Sequence, residues 1–517
     1  MTAWRLLWVD DEIELLRPHV LFLESKGYAV RTITNGEDAA VLVEQEPFDL
    51  ILLDEHMPGW GGLRTLEEIK RRRPNVPVVM VTKSEEEHLM EAAIGAQISD
   101  YLIKPVNPNQ LLLVCKRLLE RHRLAQEQIA QSYRQEFTEL AMAIESASSF
   151  AQWVDIYQRL VRRDLELERG DPTVQQILQE QHAEANRAFG RFIERHYPQW
   201  VQADPEERPP LSPDVFRRWV FPLMGQGRPV VVLVIDCLRY DQWLVFEALL
   251  QTYFTIQREL YLAILPTATP YARNALFAGL FPADIERRFP GFWQSAEEDE
   301  WSQNRHEDRL LGDQLQRLRI GARFRYEKVL SSAEGKALLG RMSGLLQVDL
   351  SAIVVNFVDI LAHSRSESSL LRELVPDERA YRELVRTWLE HSWLFDLLRR
   401  LSESRAIVVI TTDHGAIRAL RDTKVIGDRD TSTSLRYKYG RNLKCDPRHA
   451  ILVKDPLLYR LPRRGINTNY ILAKEDYYFV YPTQYHRYQQ QYYDTFQHGG
   501  VSLEEMLLPV AVLQPRG

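Results

Sequence analysis

Eight residues from Asp236 onward are of types that hold metals or attack phosphorus, and most follow apolar runs. Asp236 ends the run PVVVLVI, and Asp413 with His414 ends AIVVITT. Asp359 and His363, after SAIVVNFV, are four apart, the spacing that puts two ligands on one helical face. His498 stands before two glycines in FQHGG, a tight turn that can present an imidazole inward. Thr267 and Thr269 lie in PTATPYARNALF, a turn running into a helix that starts near Pro270. Carboxylate and imidazole together are natural ligands of zinc, and manganese accepts the same set. A hydroxyl at a helix N-terminus faces free N–H groups and the positive end of the macrodipole. That environment suits a nucleophile attacking phosphorus. Two sites of about three N/O ligands each can be assembled here, and paired metals about 4 Å apart stabilise both oxygens of an in-line displacement at phosphorus.

A second group lies near the N-terminus. Asp10 and Asp11 end RLLWV, Asp54 ends DLILL, Thr82 ends VPVVMV, and Lys104 follows YLI. Three carboxylates at one edge repel one another unless a cation sits among them, and hard oxygen ligands favour Mg²⁺. A threonine and a lysine beside them suit a phosphoryl group in transit.

The elements that must position these residues follow from periodicity. Short apolar runs alternating with helical patterns over residues 1–120 are a βαβα rhythm, hence a parallel sheet covered by helices. Sites in such sheets form beyond the strand C-termini. Residues 121–225 change character, with apolar residues recurring at three and four, as in Trp153, Ile156, Tyr157 and Leu160. They read as an all-α connector bundle, with no helix-turn-helix signature. Pro205, Pro209, Pro210 and Pro213 mark a loop. Residues 226–517 read as a second α/β domain. Its charged and aromatic stretch 284–344 interrupts the strand pattern and reads as an inserted cap, with His306 on its surface.

With 517 residues, about two to four domains are expected. Hydrophobic residues make up 45% and charged residues 26%, as in a soluble globular protein. The net charge of −7 argues against a whole-protein nucleic-acid wrap but not against a local basic groove. Cys115, Cys237 and Cys445 are too few and too scattered for a disulfide framework. No signal peptide is readable, and no apolar run reaches the roughly 18 residues of a membrane span. The expected location is the cytoplasm. The stretch 431–449 interleaves Arg436, Lys438 and Arg441 with Tyr437 and Tyr439. It reads either as a grip for a single nucleic-acid strand or as a basic surface loop. Arg273 and Asn274, just past the threonine turn, are further candidates to meet a phosphate.

The order VDDE, LLDxxMPGxxG, VTKS, KP over residues 4–120 resembles the receiver domain of two-component response regulators. The resemblance implies a five-stranded, flavodoxin-like parallel sheet. It implies that Asp54 accepts phosphate from a sensor histidine kinase and that Asp10 and Asp11 hold Mg²⁺ with the His56 carbonyl. Thr82 and Lys104 would contact the phosphoryl oxygens, and Tyr101 would be the switch aromatic.

The motifs from Asp236 to His498 resemble the alkaline phosphatase superfamily, within it the PglZ-like and nucleotide-phosphodiesterase branches. That resemblance implies Thr269 as nucleophile, with Thr267 the runner-up. It implies one zinc on Asp236, Thr269, Asp413 and His414, and another on Asp359, His363 and His498. The whole order is similar to the PorX-type response regulators. This implies control of type IX secretion, hydrolysis of cyclic or linear oligonucleotides, and a homodimer on phosphorylation. The alternative is a phosphorylation-switched adaptor whose output binds a transcription factor or a secretion-motor protein.

Overall fold

The computed structural model describes residues 4–83, 98–168, 170–290, 304–427, 434–463, 465, 467–482 and 485–516. The chain divides into two compact units, Met1–Arg134 and Gln135–Gly517.

In the first unit, β1 (Arg5–Val9), β2 (Ala29–Ile33), β3 (Leu50–Asp54), β4 (Val78–Thr82) and β5 (Asp100–Ile103) form one parallel sheet in the order β2-β1-β3-β4-β5. Helices α1 (Arg17–Ser25), α2 (Gly36–Gln45) and α3 (Gly62–Arg72) lie between the strands in sequence. β3 and β4 are buried throughout, because alternate residues feed two cores. Leu50 and Leu52 pack in one, Ile51 and Leu53 in the other. The sheet is the five-stranded parallel one expected. Asp10, Asp54, Thr82 and Lys104 all fall at its C-terminal edge.

Helix α4 (Pro108–Ser146) carries the unit boundary within it. It leads to α5 (Phe150–Leu167), opened by a capping box of Ser149 and Gln152, and to α6 (Pro172–Trp200), capped by Asp171 with Pro172 at its first position. The helical connector expected over 121–225 holds the second part of α4 together with α5 and α6. From Gln135 onward it belongs to the output unit. The Leu265 N–H donates to Tyr197 Oη at 2.9 Å, the Leu503 N–H to Asn186 Oδ1 at 2.7 Å, and Lys474 Nζ to Glu194 at 2.6 Å.

The output sheet runs β7-β18-β10-β6-β9-β8, from β6 (Val230–Ile235), β7 (Phe254–Leu262), β8 (Phe324–Val329), β9 (Leu350–Val355), β10 (Ile407–Thr411) and β18 (Leu507–Pro515). The β10, β6, β9 and β8 strands are parallel, and β18 is antiparallel to both its neighbours. Helices α7 (Tyr240–Leu250), α8 (Thr269–Ala278), α9 (Glu307–Arg317), α10 (Phe357–Glu367) and α11 (Glu378–Glu390) connect or flank these strands.

Stretch 284–344 is not a cap over its described residues. It contributes α9 and the sheet-edge strand β8, while 291–303 lie outside the described residues. His306 is exposed, as expected. The larger insertion lies between β10 and β18. It pairs β11 (Ile417–Ala419) with β17 (Thr495–Gln497) and β12 (Arg421–Lys424) with β16 (Tyr477–Val480). A three-stranded sheet of β13 (Tyr437–Arg441), β15 (Thr468–Ala473) and β14 (Ala450–Val453) completes it. The short helix α12 (Leu503–Met506) then leads into β18.

Candidate active site

Two acidic centres stand at strand ends, one in each unit. In the first, Asp10 and Asp54 are buried and Asp11 is exposed, with one oxygen of each within 4.8 Å of the others. Lys104 Nζ lies 2.8 Å from Asp10 Oδ2 and 3.1 Å from Asp54 Oδ1. One ammonium therefore faces two buried carboxylates. Burial raises the Asp54 carboxyl above its usual range and the Asp10 charge adds to the rise, with Lys104 opposing. An added cation fits this charge balance. Thr82 is buried at the end of β4, while His56 and Tyr101 are exposed.

The second centre gathers residues from five places in the output unit. Asp236 follows β6, Asp413 and His414 follow β10, Asp359 and His363 lie on α10, His498 follows β17, and Thr269 opens α8. The ligand atoms of Asp236, Asp413 and His414 lie within 4.8 Å of one another, and so do those of Asp359, His363 and His498. The expected division into two sets is thus present in the geometry, and either set could hold a metal ion.

The orientation of each side chain is fixed from behind. Asp236 Oδ2 accepts from Arg273 Nη1 at 2.6 Å and from Asn356 Nδ2 at 2.7 Å. Its Oδ1 is buried without a hydrogen-bond partner, 3.5 Å from His414 Nε2. Asp413 Oδ1 takes the Cys237 N–H at 3.4 Å, which leaves Oδ2 unpartnered 3.7 Å from the same nitrogen. Asp359 Oδ1 is also unpartnered, 3.4 Å from His363 Nε2 and 3.7 Å from His498 Nε2.

The imidazoles of His414 and His498 are oriented alike. His414 Nδ1 meets the Gly415 carbonyl at 3.1 Å and His498 Nδ1 the Thr267 carbonyl at 3.3 Å. A carbonyl only accepts, so Nδ1 carries the proton and the neutral ring turns an Nε2 lone pair to the carboxylates. The two rings stack at 4.2 Å. Lone pairs facing orphaned carboxylate oxygens repel, and a cation among them reverses the sign. The donor set therefore fits transition-metal ions.

Burial pushes the Asp236 carboxyl up to about 8, with Arg273 opposing and Asp413 and Asp359 adding to the rise. Burial also raises Asp413, again against Arg273. Against the effect of burial, His363, His498 and His414 hold Asp359 low when they are protonated, and a cation bound among the neutral rings would do the same in place of those protons. Burial lowers His414 although Asp236 and Asp359 pull it up, which keeps its lone pair available.

The two threonines separate by their partners. Thr269 Oγ lies 2.9 Å from His414 Nε2 at the first position of α8. Thr267 Oγ donates to the Gly500 carbonyl at 2.8 Å and accepts the Gly499 N–H at 3.1 Å, so its hydroxyl locks the turn that carries His498. The turn after β10 is held as closely. Thr412 Oγ accepts from the Leu238 N–H at 3.0 Å and donates to the His414 carbonyl at 2.9 Å. A Cβ on Gly415 would come within 1.9 Å of the Glu504 carbonyl, so only glycine fits there.

The expected substrate contacts correct differently. Arg273 is turned inward, where Nη1 meets Asp236 and Nε meets Glu307 at 2.8 Å. Asn274 is buried and donates to the Pro270 carbonyl at 2.8 Å. Arg436 is wholly buried, with Nε 3.2 Å from Glu505 Oε1 and Nη1 on the Tyr477 carbonyl. Lys438 is buried, donates to the Ser434 carbonyl at 2.8 Å and lies 4.7 Å over the Tyr481 ring. Arg273 and Arg436 brace the site's acidic residues, while Asn274 and Lys438 bond backbone carbonyls, and all four are buried. Arg441 is exposed at the end of β13, and 431–433 lie outside the described residues. Asn356, Glu307, Thr412 and Glu505 are functional supports that sequence reasoning missed. Of these, Asn356 and Thr412 carried a signal, a polar residue at the end of an apolar strand.

Comparison with known proteins matches this layout. A model described as BREX system PglZ alkaline phosphatase-like domain matches residues 215–513. Models of the PorX response regulator linker domain and the response regulator receiver domain match 123–201 and 6–116. The transcriptional regulatory protein BaeR of Escherichia coli O6:H1 is 39% identical over 133 residues, 25% of this chain and 54% of that protein. The transcriptional regulatory protein ResD of Bacillus subtilis is 34% identical over 117 residues, 23% of this chain and 48% of that protein. The chain thus covers about half the length of each. Among solved structures, a CheY-like receiver domain protein from Methanospirillum hungatei is similar over 23% of this chain and 97% of its own, with 30% identity and a TM-score of 0.23. No described helix is long and apolar enough to cross a membrane. The PglZ match spans more than half the sequence, and the chain belongs to the PglZ alkaline phosphatase-like family, in the receiver, linker and output order of a PorX-type response regulator.

Proposed function

We propose that the output unit is a metal-dependent phosphodiesterase with Thr269 as its nucleophile, controlled by phosphorylation of Asp54. The observation that carries this is the set of three orphaned carboxylate oxygens facing two imidazole Nε2 lone pairs beside the Thr269 hydroxyl. Asp236, Thr269, Asp413 and His414 would hold one zinc, and Asp359, His363 and His498 the other, with manganese an alternative. Bound there, the ions would polarise the phosphoryl oxygens and offset charge on the attacking and leaving oxygens.

The protein's own groups do the rest. Arg273 and Asn356 fix the Asp236 carboxylate, and the Gly415 and Thr267 carbonyls fix the two imidazoles. The α8 N-terminus favours negative charge on Thr269 Oγ. The Oγ–P bond forms, the ester P–O bond breaks, and the alcohol leaves with a proton. Water then hydrolyses the phosphothreonine, releasing a monoester and restoring the hydroxyl. A diester carries one negative charge and a monoester two. The nearby Arg273 and Arg436 are both engaged with protein acceptors, which favours the lower charge.

The domain order supports a sensor histidine kinase as phosphoryl donor, Mg²⁺ at Asp10, Asp11 and Asp54, and dimerisation on phosphorylation. It also supports cyclic or linear oligonucleotide substrates and a role in type IX secretion.

The test compares bis(p-nitrophenyl) phosphate with p-nitrophenyl phosphate on metal-analysed protein. Wild type, Asp54→Ala and Thr269→Ala are run side by side. Thr269→Ala should keep most of its metal and lose turnover by about a hundredfold or more. Full activity in that variant, or a strong monoester preference, would sink the reading. Light scattering with and without a phosphoryl donor tests dimerisation, which Asp54→Ala should abolish.

A further inference from the structure

Beside the second centre, a cavity of about 250 Å³ opens between α5 and α6 on one side and the output fold on the other. Its walls carry six carboxylates against four arginines. The arginines are already matched. Arg382 lies 3.1 Å from Asp241, Arg421 lies 2.6 Å from Glu475, Arg239 bridges Asp241 and Glu378, and Arg418 reaches out of the cavity to Asp494.

Glu504 is left without such a partner. Among the described residues no lysine or arginine lies within ion-pair distance of it. Its carboxylate accepts from Asn186 Nδ2 at 3.0 and 3.3 Å, and His182 Nδ1 stands 3.9 Å away. Burial holds the Glu504 carboxyl above its usual range. Tyr157 lines the same cavity, its side chain 1% exposed and its hydroxyl oxygen buried without a hydrogen-bond partner. His182 Nε2 is likewise buried and unpartnered. An unsatisfied buried polar group costs about 1–3 kcal/mol, so these atoms point to a ligand. Val161, Ile417 and Leu420 add an apolar wall. A bare metal ion would leave that wall uncovered, whereas a methylene chain would cover it.

We propose that this cavity binds a short alkyl amine, its ammonium held by the Glu504 carboxylate and the Tyr157 hydroxyl and its methylenes on Val161, Ile417 and Leu420. An ammonium has three N–H donors, and the Glu504, Tyr157 and His182 atoms are acceptors for them. The surplus of carboxylates favours a second positive charge at the far end of the chain. This site does not depend on the hydrolytic reading.

The experiment is isothermal titration calorimetry of the full chain with putrescine, using 1,4-butanediol as the uncharged isostere. Saturable binding of putrescine at one site and none of the diol are expected. Affinity should fall by roughly tenfold or more in Glu504→Gln, from loss of a charge-assisted hydrogen bond, and several-fold in Tyr157→Phe. Thr269→Ala should bind as wild type does, which separates this cavity from the Thr269 centre. Circular dichroism checks the fold of each variant, and if Glu504→Gln fails to fold, Tyr157→Phe decides. No saturation up to millimolar putrescine, equal binding of the diol, or binding indifferent to both substitutions overturns the proposal.

Discussion

Arg273 Nη1 meets Asp236 Oδ2 at 2.6 Å, and both side chains are 1% exposed. The same guanidinium holds Glu307 at 2.8 Å, so one buried cation orients two buried carboxylates. Removing one partner of a buried pair costs about 3–5 kcal/mol, because the charge left behind has neither water nor a counter-ion. Arg273→Ala should therefore lower the stability of the metal-free protein by about that much in urea unfolding. Adding Asp236→Asn should recover part of the loss at alkaline pH, where that carboxyl is ionised, and little near neutral pH, where burial without Arg273 keeps it protonated. An additive double mutant would mean the two side chains are not coupled.

Lys438 gives a pH dependence with a definite sign. Burial pulls its ammonium down to about 7. The unfolded lysine titrates near 10.4. Between these values the unfolded chain binds one more proton than the folded one, so stability rises with pH across that window. Below about 7 the folded protein carries the full cost of the buried charge. The Ser434 carbonyl and the Tyr481 face offset some of it. Lys438→Met should stabilise the protein by on the order of 2–4 kcal/mol near pH 7, shrinking toward zero by about pH 10.5. Unfolding midpoints of both proteins from pH 6 to 10.5 check this. A gain independent of pH would show that packing, not charge, is responsible.

The residues legible in the sequence were those with a local signature. A carboxylate closing a run of buried aliphatics is visible in Asp54, Asp236 and Asp413, because the strand that ends in each is buried on both faces. The supports behind them come from elsewhere in the chain. Asn356 reaches Asp236 across 120 positions and Arg436 reaches Glu505 across 69, and no period or motif links such pairs. Arg436 and Lys438 read as surface cations because charge was visible and burial was not. The expected cap failed for a related reason. FRYEKV is an edge strand, mostly half-buried, so its polar residues hid its place in the main sheet. The receiver and linker matches meet near the expected boundary at 120, inside α4, which runs on past that position with no break in helical pattern, so the change of unit falls within a single helix.

The orphaned oxygens of Asp236, Asp413 and Asp359 would make a bound metal part of the fold's electrostatics as well as of the proposed chemistry. A ligand that binds only the folded state stabilises it by about 2.7 kcal/mol when present at a hundred times its Kd. Chelation should lower the unfolding temperature, and zinc or manganese should restore it. His498→Ala should blunt the response, since that ring stands between Asp359 and His414. An unfolding temperature indifferent to chelator in metal-analysed wild type would argue against bound metal at this centre.

Arg382 ties the connector to the output fold. It lies 2.7 Å from Asp164 and 3.0 Å from Glu168, at the end of α5, and 3.1 Å from Asp241 on α7. Asp241 in turn holds Arg239, three residues beyond Asp236. Removing the guanidinium would strand acidic groups from both elements around one buried point. The affected contacts are few, so opening should be local rather than global. Arg382→Ala should speed amide hydrogen exchange at the C-terminal end of α5 and the start of α7 by about tenfold or more, while the central strands β6 and β10 keep their protection. Arg382→Lys should restore only part of it, because an ammonium cannot reproduce the fork that spans three carboxylates. Uniformly faster exchange through β6 and β10 would show a global loss of stability instead, and unchanged exchange at α5 would show that this junction is held by apolar packing alone.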